Sequence, residues 1–528
     1  GGIDGDIRRE FVHNEPTLAV AITSTLFREN DAINLRERTT GNGGGAMWDV
    51  VLSSSVTENG YNIVQCTGVP TLSLVLRVGD AAIVEQFGAI GNNIADDTLA
   101  IQAAVDTGLE VHLSKQYNIT SPILVTTSSQ TLKGTGWGGT SALNSALDIE
   151  HVISTADWTT IKDLQLDNTS ASMSKRHIHI SGGAFGTVDT CRIQATENFT
   201  AIGGGILFDD GSGGVGGIAG KVIGCNVNHG TVEVKRSDVH VLDSWIWANS
   251  RPVGIQAIGA VGNLKIQNCD VVPPQTLVTN RKAAIYLSGS LTIPVLNNVN
   301  FDGNLSLSTG SGLLAEDGVL GLSVTGGNGF GHNEDCIILD SIINPIVTGV
   351  TMYNNNLAGD ASTDITLRQS FAQPLEKPNI SSNAFIQTAV IGGTTGPAIR
   401  VDTGTSRSGI KIIYNSIHQA GAGGGYSDEE IELVDGAFSS NSAGVLTGNT
   451  GVRRVSMGAG SATFTAGDTF KVITLPKSLL QLPRIDQVHV NMESISLAYR
   501  VQIVAVNSIL IGFPSAAGGG TVHISVAL

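Results

Sequence analysis

The residues in this sequence whose types and spacing suit chemistry are carboxylates set among aromatic rings. Glycosidic cleavage takes one carboxylic acid to protonate the leaving oxygen. A second carboxylate activates water or attacks, with the two groups about 5–5.5 Å or 6.5–9.5 Å apart. Nine octets align along the chain: TVDTCRIQ from Thr187, KVIGCNVN from Lys221, HVLDSWIW from His240, KIQNCDVV from Lys265, VLNNVNFD from Val295, SVTGGNGF from Ser323, IVTGVTMY from Ile346, NISSNAFI from Asn379 and KIIYNSIH from Lys411. Their last residues read Gln194, Asn228, Trp247, Val272, Asp302, Phe330, Tyr353, Ile386 and His418, a ridge that carries Trp247, Asp302, Phe330 and Tyr353. Just beyond it lie His332, Glu334 and Asp335 in GFGHNEDC, then Asp360 and Asp364, while Glu316 and Asp317 end the segment after Asp302. The catalytic carboxylates are therefore expected among Asp302, Glu316, Glu334, Asp335, Asp360 and Asp364. Trp245, Trp247, Phe330, His332 and Tyr353 form the expected face for sugar rings. A plainer reading has Asp335 and Asp364 merely opening strands, and Glu316 and Asp317 in a turn.

A rival cluster lies upstream: Asp209 and Asp210 in GILFDDGSGGVGG, with Glu233, Asp238, His240, Asp243 and the two tryptophans. Its glycine-rich loop also suits solvated turn carboxylates. Elimination would instead need a Lys, Arg, His or Tyr base beside a neutralised uronate, often with a metal. Hydrolysis is the expected chemistry; elimination and binding without catalysis are the alternatives. No CxxC pair or His-rich companion has zinc spacing, and no phosphate-binding loop or nucleophile elbow is present, so neither metal nor cofactor is expected.

These residues must be positioned by a repeat. A second strand follows each octet: GILFDD, TVEVKR, GIQAIG, AIYLSG, GLLAED, CIILDS, DITLRQ, AIRVDT and EIELVD. Successive octets start 19 to 34 residues apart, an irregular period that fits a parallel β-helix with loops of variable length and not a leucine-rich repeat. The second strands offer one inward column, Ile206, Val232, Ile255, Ile285, Leu313, Ile337, Ile365, Ile399 and Ile431, mostly β-branched as an interior sheet prefers. Cys191, Cys225 and Cys269 fall in one octet column with Ser244, Gly327 and Val350, and read as small core fillers.

Composition agrees. The 528 residues include 66 glycines and only 14% charged side chains, which suits β-structure with many tight turns. A net charge of −16 argues against nucleic acid as partner, since phosphate binding needs a basic face. No run of eighteen apolar residues offers a membrane span, and no secretion signal is expected. Five cysteines cannot form a complete disulfide set, and free buried thiols are expected. Residues 1–84 read as a small polar β-domain or collar and 85–450 as the coil. Residues 451–528 alternate as antiparallel strands do.

One segment ties these parts together. FGAIGNNIADDTLAIQAAVD, Phe87 to Asp106, reads as a helix capped by Asp96 or Asp97, with Ala100, Ile101, Ala104 and Val105 on one face and Gly108 at its end. It resembles the signature that opens the β-helices of the pectate-lyase superfamily, keeping FGA, DDT and AIQAAVD but with Asn92 and Asn93 in the intervening part. Within that superfamily the layout is most similar to bacteriophage tailspike depolymerases. The resemblance implies an all-β chain: a right-handed, single-stranded parallel β-helix with an N-terminal capping helix, a small N-terminal β-domain and a C-terminal β-sandwich trimerisation domain. It implies a homotrimer on the virion tail, assembled in the host cytoplasm and joined to a baseplate or adaptor through its N-terminal part. The implied partner is a bacterial surface polysaccharide, capsule or O-antigen, depolymerised at the host cell surface. The signature itself carries no catalytic residue.

Overall fold

The computed structural model describes residues 11–447 and 449, apart from 137–140, 183–184, 198–202, 210, 212–218, 276–277, 279, 281, 304–309, 333, 356–362, 388–395, 403–406, 420–430 and 434–444, together with the backbone of strands between 455 and 526. It has two compact units, Gly1–Glu233 and Val234–Leu528.

The first unit begins with a five-stranded sheet in the order Val12–Glu15, Ala32–Thr39, Gly43–Leu52, Leu72–Leu76, Ile63–Gln65. Parallel coil pairing starts at Ala81–Ile83, which lies against Glu110–His112. Helix Thr98–Val105 follows, and its two preceding aspartates divide the work. Asp96 accepts from the Thr98 N–H at 3.0 Å, whereas Asp97 turns back to the N–H groups of Ile90 and Gly91 at 2.6 and 3.1 Å. The helix sits where a sheet edge needs a partner: the Gln102 amide exchanges hydrogen bonds with both backbone groups of Leu124 in Ile123–Val125, the first strand of its sheet.

Both units contain coils of a parallel β-helix. Most coils contribute three strands, because the octet expected as one strand is bent at its fourth residue; Val295–Asp302 and Ser323–Phe330 run through that bend as single strands. Thr190, Asp243, Asn268, Asn298, Ser382 and Tyr414 have φ between 49° and 57°, and Gly224, Gly326 and Gly349 occupy the same position. Asn, Asp and Gly enter this left-handed conformation most readily, which accounts for the prevailing residue types. The bend resets the alternation, so octet positions two, five and seven point inward. Ile266, Cys269 and Val271 are fully buried in one such coil. Positions six and eight consequently share the outward face.

Stacking supplies the core that no coil has alone. In the second unit Ile255, Ile285, Leu313, Ile337, Ile365, Ile399 and Ile431 stand in register, all fully buried. All five cysteines are free and buried, and burial pushes the thiols of Cys66 and Cys269 up to about 11 and about 12. The fifth octet position holds the cysteines early in the chain and asparagines later. The Asn415 side-chain oxygen accepts from the Asn383 N–H and amide, both at 3.0 Å, while its own amide reaches the Ile380 carbonyl and the Asn449 side chain. Near the C-terminus two three-stranded antiparallel sheets form, Gly460–Phe464 with Gly520–Val526 and Val488–Glu493, and Phe470–Thr474 with Ser508–Gly512 and Arg500–Ala505.

Candidate functional site

Two outward rows of the second unit make a groove. The first row follows the sixth octet position: Trp245 faces Asp270, which faces Asn300, then Asn328, then Thr351. In the second, eighth-position row, Trp247 faces Val272, and Asp302 faces Phe330, which faces Tyr353. The rows meet around an open cavity of about 430 Å³ lined by Asp270, Asn300, Phe301, Asp302, Asn328, Phe330, Thr351 and Tyr353. Phe330 and Tyr353 stack with ring centroids 5.7 Å apart and planes 15° from parallel. On the coil bearing Trp245 and Trp247, those two rings meet edge to face at 5.0 Å, with Trp245 44% exposed. A rung of side-chain amides fixes the floor: Asn328 donates to Asn300 at 2.9 Å, and Asn300 donates to Asp270 at 2.6 Å.

The cavity thus joins Asp302, Phe330 and Tyr353, as the octet alignment places them, to one carboxylate that the alignment held but sequence reasoning passed over. Asp270 is the sixth residue of its octet, on the same outward face as the eighth. The available signal was the same two-residue alternation that paired Trp245 with Trp247.

The other expected residues go elsewhere. His332 is fully buried and does not line the groove. Its ring nitrogens each lie 2.9 Å from a carbonyl oxygen, of Gly310 and of Phe301. Burial lowers its pKa, against the pull of those carbonyls. Because Phe301 adjoins Asp302, this histidine braces the groove strand from inside. Asp335 accepts from the Thr363 N–H at 2.6 Å and the Thr366 hydroxyl at 2.7 Å, and burial raises its pKa. Asp364 is buried and accepts from the Asn355 amide at 2.7 Å. Glu316, at the end of Ser311–Glu316 in a different sheet, is buried and accepts from the Tyr286 hydroxyl at 2.7 Å. Glu334 is half-buried and outside the cavity lining. Asp360 lies outside the described residues.

The rival cluster divides between the units. In the first, Glu233 is buried in an ion pair with Arg176. Asp209 binds His179 at 3.0 Å and the Gly211 N–H at 3.1 Å. Burial opposes ionisation there, but these partners hold its pKa down at about 2, which leaves no proton to donate near neutrality. In the second unit, Asp238 and Asp243 occupy left-handed corners and accept from Asn263 and Asn268. Asp210 lies outside the described residues. Among the described residues no three His, Cys, Asp or Glu side chains are grouped to hold a metal, and no helix is long and apolar enough to cross a membrane.

No family model and no curated protein matches the sequence. Solved structures do match in fold. Full-length tailspike protein 2 of an Escherichia coli O157:H7 bacteriophage is similar at TM-score 0.51 and 12% identity, over all of this chain and 73% of that one. The enzymatically active domain of tailspike protein 2 of bacteriophage CBA120 is similar at 0.50 and 12%, over 100% and 81%. A tailspike of Acinetobacter baumannii bacteriophage Fri1, described as a capsular polysaccharide depolymerase, is similar at 0.41 and 11%, over 98% of each chain. At such identities the likeness is one of fold.

Proposed function

We propose that this chain is a phage tailspike that binds and depolymerises a bacterial surface polysaccharide, capsule or O-antigen, by endo-glycosidic hydrolysis in the groove. One observation carries the reading: two carboxylates on adjacent coils, Asp270 and Asp302, share an outward cavity with stacked rings. They are diagonal neighbours across parallel strands, one strand over and two residues along, which puts their Cα atoms about 8 Å apart. From that backbone spacing the two carboxyl groups can reach the inverting separation, at which water fits between base and sugar. Asp302, half-buried beside Phe330, is placed to protonate the leaving oxygen, and the exposed Asp270 has water at hand to activate. Stacked rings hold sugar faces, and the amide rung orients hydroxyls. Among the described residues no Lys, Arg or His lines the cavity, so elimination would have to use Tyr353 as its base with no cation there to neutralise a uronate, which disfavours it.

The remaining roles belong to the same reading. Helix Thr98–Val105 caps the coil, supported by the Gln102 contacts with an edge strand. The antiparallel C-terminal strands serve trimerisation, since three copies would cover their edges. The chain would join the virion through its N-terminal part, and act outside the host cell after assembly in the host cytoplasm. Light scattering should give a trimer of the 54.7 kDa chain; a stable monomer would refute that part.

The deciding assay is reducing-end release from purified capsular and O-antigen polysaccharides by the wild type and Asp302→Asn. Release that the variant abolishes supports hydrolysis here. Ultraviolet absorbance from an unsaturated uronate product would establish elimination instead. Tight binding with no product from any glycan would make the chain an adhesin.

A further inference from the structure

The coils behind the groove carry an unusual charge pattern. From Ala283 to Leu367, a stretch of 85 residues, there is not one lysine or arginine, whereas 30 in 528 would place about five there. The same stretch holds eight acids, of which Asp340 is paired with Arg368 just beyond it, and its one histidine, His332, is buried against carbonyls. The bias includes the segments between described residues, 304–309 and 356–362, whose sequences NLSLST and NLAGDAS contain no cation. Just before the stretch, the Lys282 ammonium lies 4.8 Å from the Tyr286 ring centroid. Within the cavity the polar groups are two carboxylates, two amides and the hydroxyls of Thr351 and Tyr353.

A polysaccharide carrying a uronate, sialate or phosphate in every repeat would bring like charge against the two carboxylates of the cavity, whose described lining holds no cation. Like-charge juxtaposition at an interface weakens binding, and a cleft of one sign also repels such ligands at a distance. An uncharged repeat meets no such penalty, and its hydroxyl and N-acetyl groups match the amides and hydroxyls on the floor. We infer that the groove selects an uncharged polysaccharide. This rests on the groove being the glycan site.

The test measures binding and reducing-end release by the full chain on purified capsular and O-antigen polysaccharides, sorted into uncharged repeats and repeats bearing uronate, sialate or phosphate. Turnover should be most efficient on an uncharged repeat, with its KM unchanged between about 50 mM and about 500 mM salt. Any acidic polymer that is cut should have kcat/KM at least about tenfold lower. Efficient cleavage of an acidic polymer, abolished by Asp302→Asn, would overturn the charge inference and leave the groove standing. Binding to no polysaccharide of either class would overturn both.

Discussion

On the coils that carry Asp270, Asp302, Phe330 and Tyr353, polar side chains fall into two groups that differ in direction and not in kind. One faces outward on alternate residues of short strands: exposed Asp270, half-buried Asp302, Asn300, Asn328 and a pair of stacked rings. The other sits behind the strands or at their starts. His332, Asp335, Asp364 and Glu316 are each wholly or largely enclosed and held by named donors or acceptors at 2.6–2.9 Å. The second group is the denser one in sequence, and for that reason draws the eye. Yet a carboxylate whose oxygens already serve backbone and hydroxyl donors is committed to holding the chain. In a β-helix the side of the sheet decides which polar residues meet a ligand.

The strongest way to break this comparison is to remove one titrating proton from each group. Asp302→Asn and Asp270→Asn should each lower kcat by about 10²–10⁴-fold with polysaccharide binding and melting temperature nearly unchanged. Asp335→Asn and Asp364→Asn should do the reverse, lowering the melting temperature while turnover per folded molecule stays within about twofold. Full activity in both groove variants, with loss in Asp335→Asn, would reverse the assignment.

Stability sharpens the same contrast with two asparagines. Asn415→Leu strips hydrogen bonds from the buried Asn383 N–H and amide and from the Ile380 carbonyl, and each unsatisfied group costs about 1–3 kcal/mol. A loss of about 3 kcal/mol or more should appear as a lower urea midpoint. Asn328→Ala removes one exposed contact, to Asn300, and should stay within about 0.5 kcal/mol.

Acid should find the enclosed histidines before it finds the groove. Burial lowers the pKa of His151 to about 4 and lowers that of His332, whereas an unfolded histidine titrates near 6.5. Between those values the unfolded chain binds more protons than the folded one, so stability rises with pH across that window. It is fully present above about pH 6.5 and falls toward pH 4 by up to about 1.4 kcal/mol per pH unit for His151, and His332 adds to the loss in the same direction below about pH 6.5. His332→Asn, whose amide can donate to Phe301 or Gly310 without titrating, should flatten the slope measured by thermal unfolding. An unchanged slope would show that His332 is not the sensor.

How much of this was legible in the sequence depends on whether the signal was periodic. The octet and second-strand columns stand in the structure with the register read from sequence, because each inward residue had to match the next coil. The bend inside the octet was written in its fourth residue, where Asp, Asn, Ser and Gly recur, but a run of eight reads as one strand unless the left-handed corner is recognised. The asparagine ladder was equally present at position five, hidden by the cysteines above it. Asp302, Phe330 and Tyr353 could be placed because they lie on strands. His332, Asp335 and Asp364 could not, because in the turns that hold them no alternation says which way a side chain points. Glu316 lay on a strand, but on a different sheet from the groove.

The smallest expected effect tests the rings. Phe330 stacks on Tyr353 and faces the cavity beside Asp302, so its ring offers a sugar one apolar face and little else. Phe330→Ala should therefore weaken polysaccharide binding about tenfold, the share of one partly buried ring, and leave kcat within about twofold. Its melting temperature should move little, since that side chain lies on the outward face and not in the core. The contrast is Phe385→Ala, on the inward row of a later coil: fully buried, it should cost about 3–5 kcal/mol of stability and no affinity per folded molecule. Phe330→Trp, which keeps an aromatic face, should restore the lost binding. If Phe330→Ala binds as tightly as the wild type, the rings belong to the fold alone and the groove loses its claim to sugars.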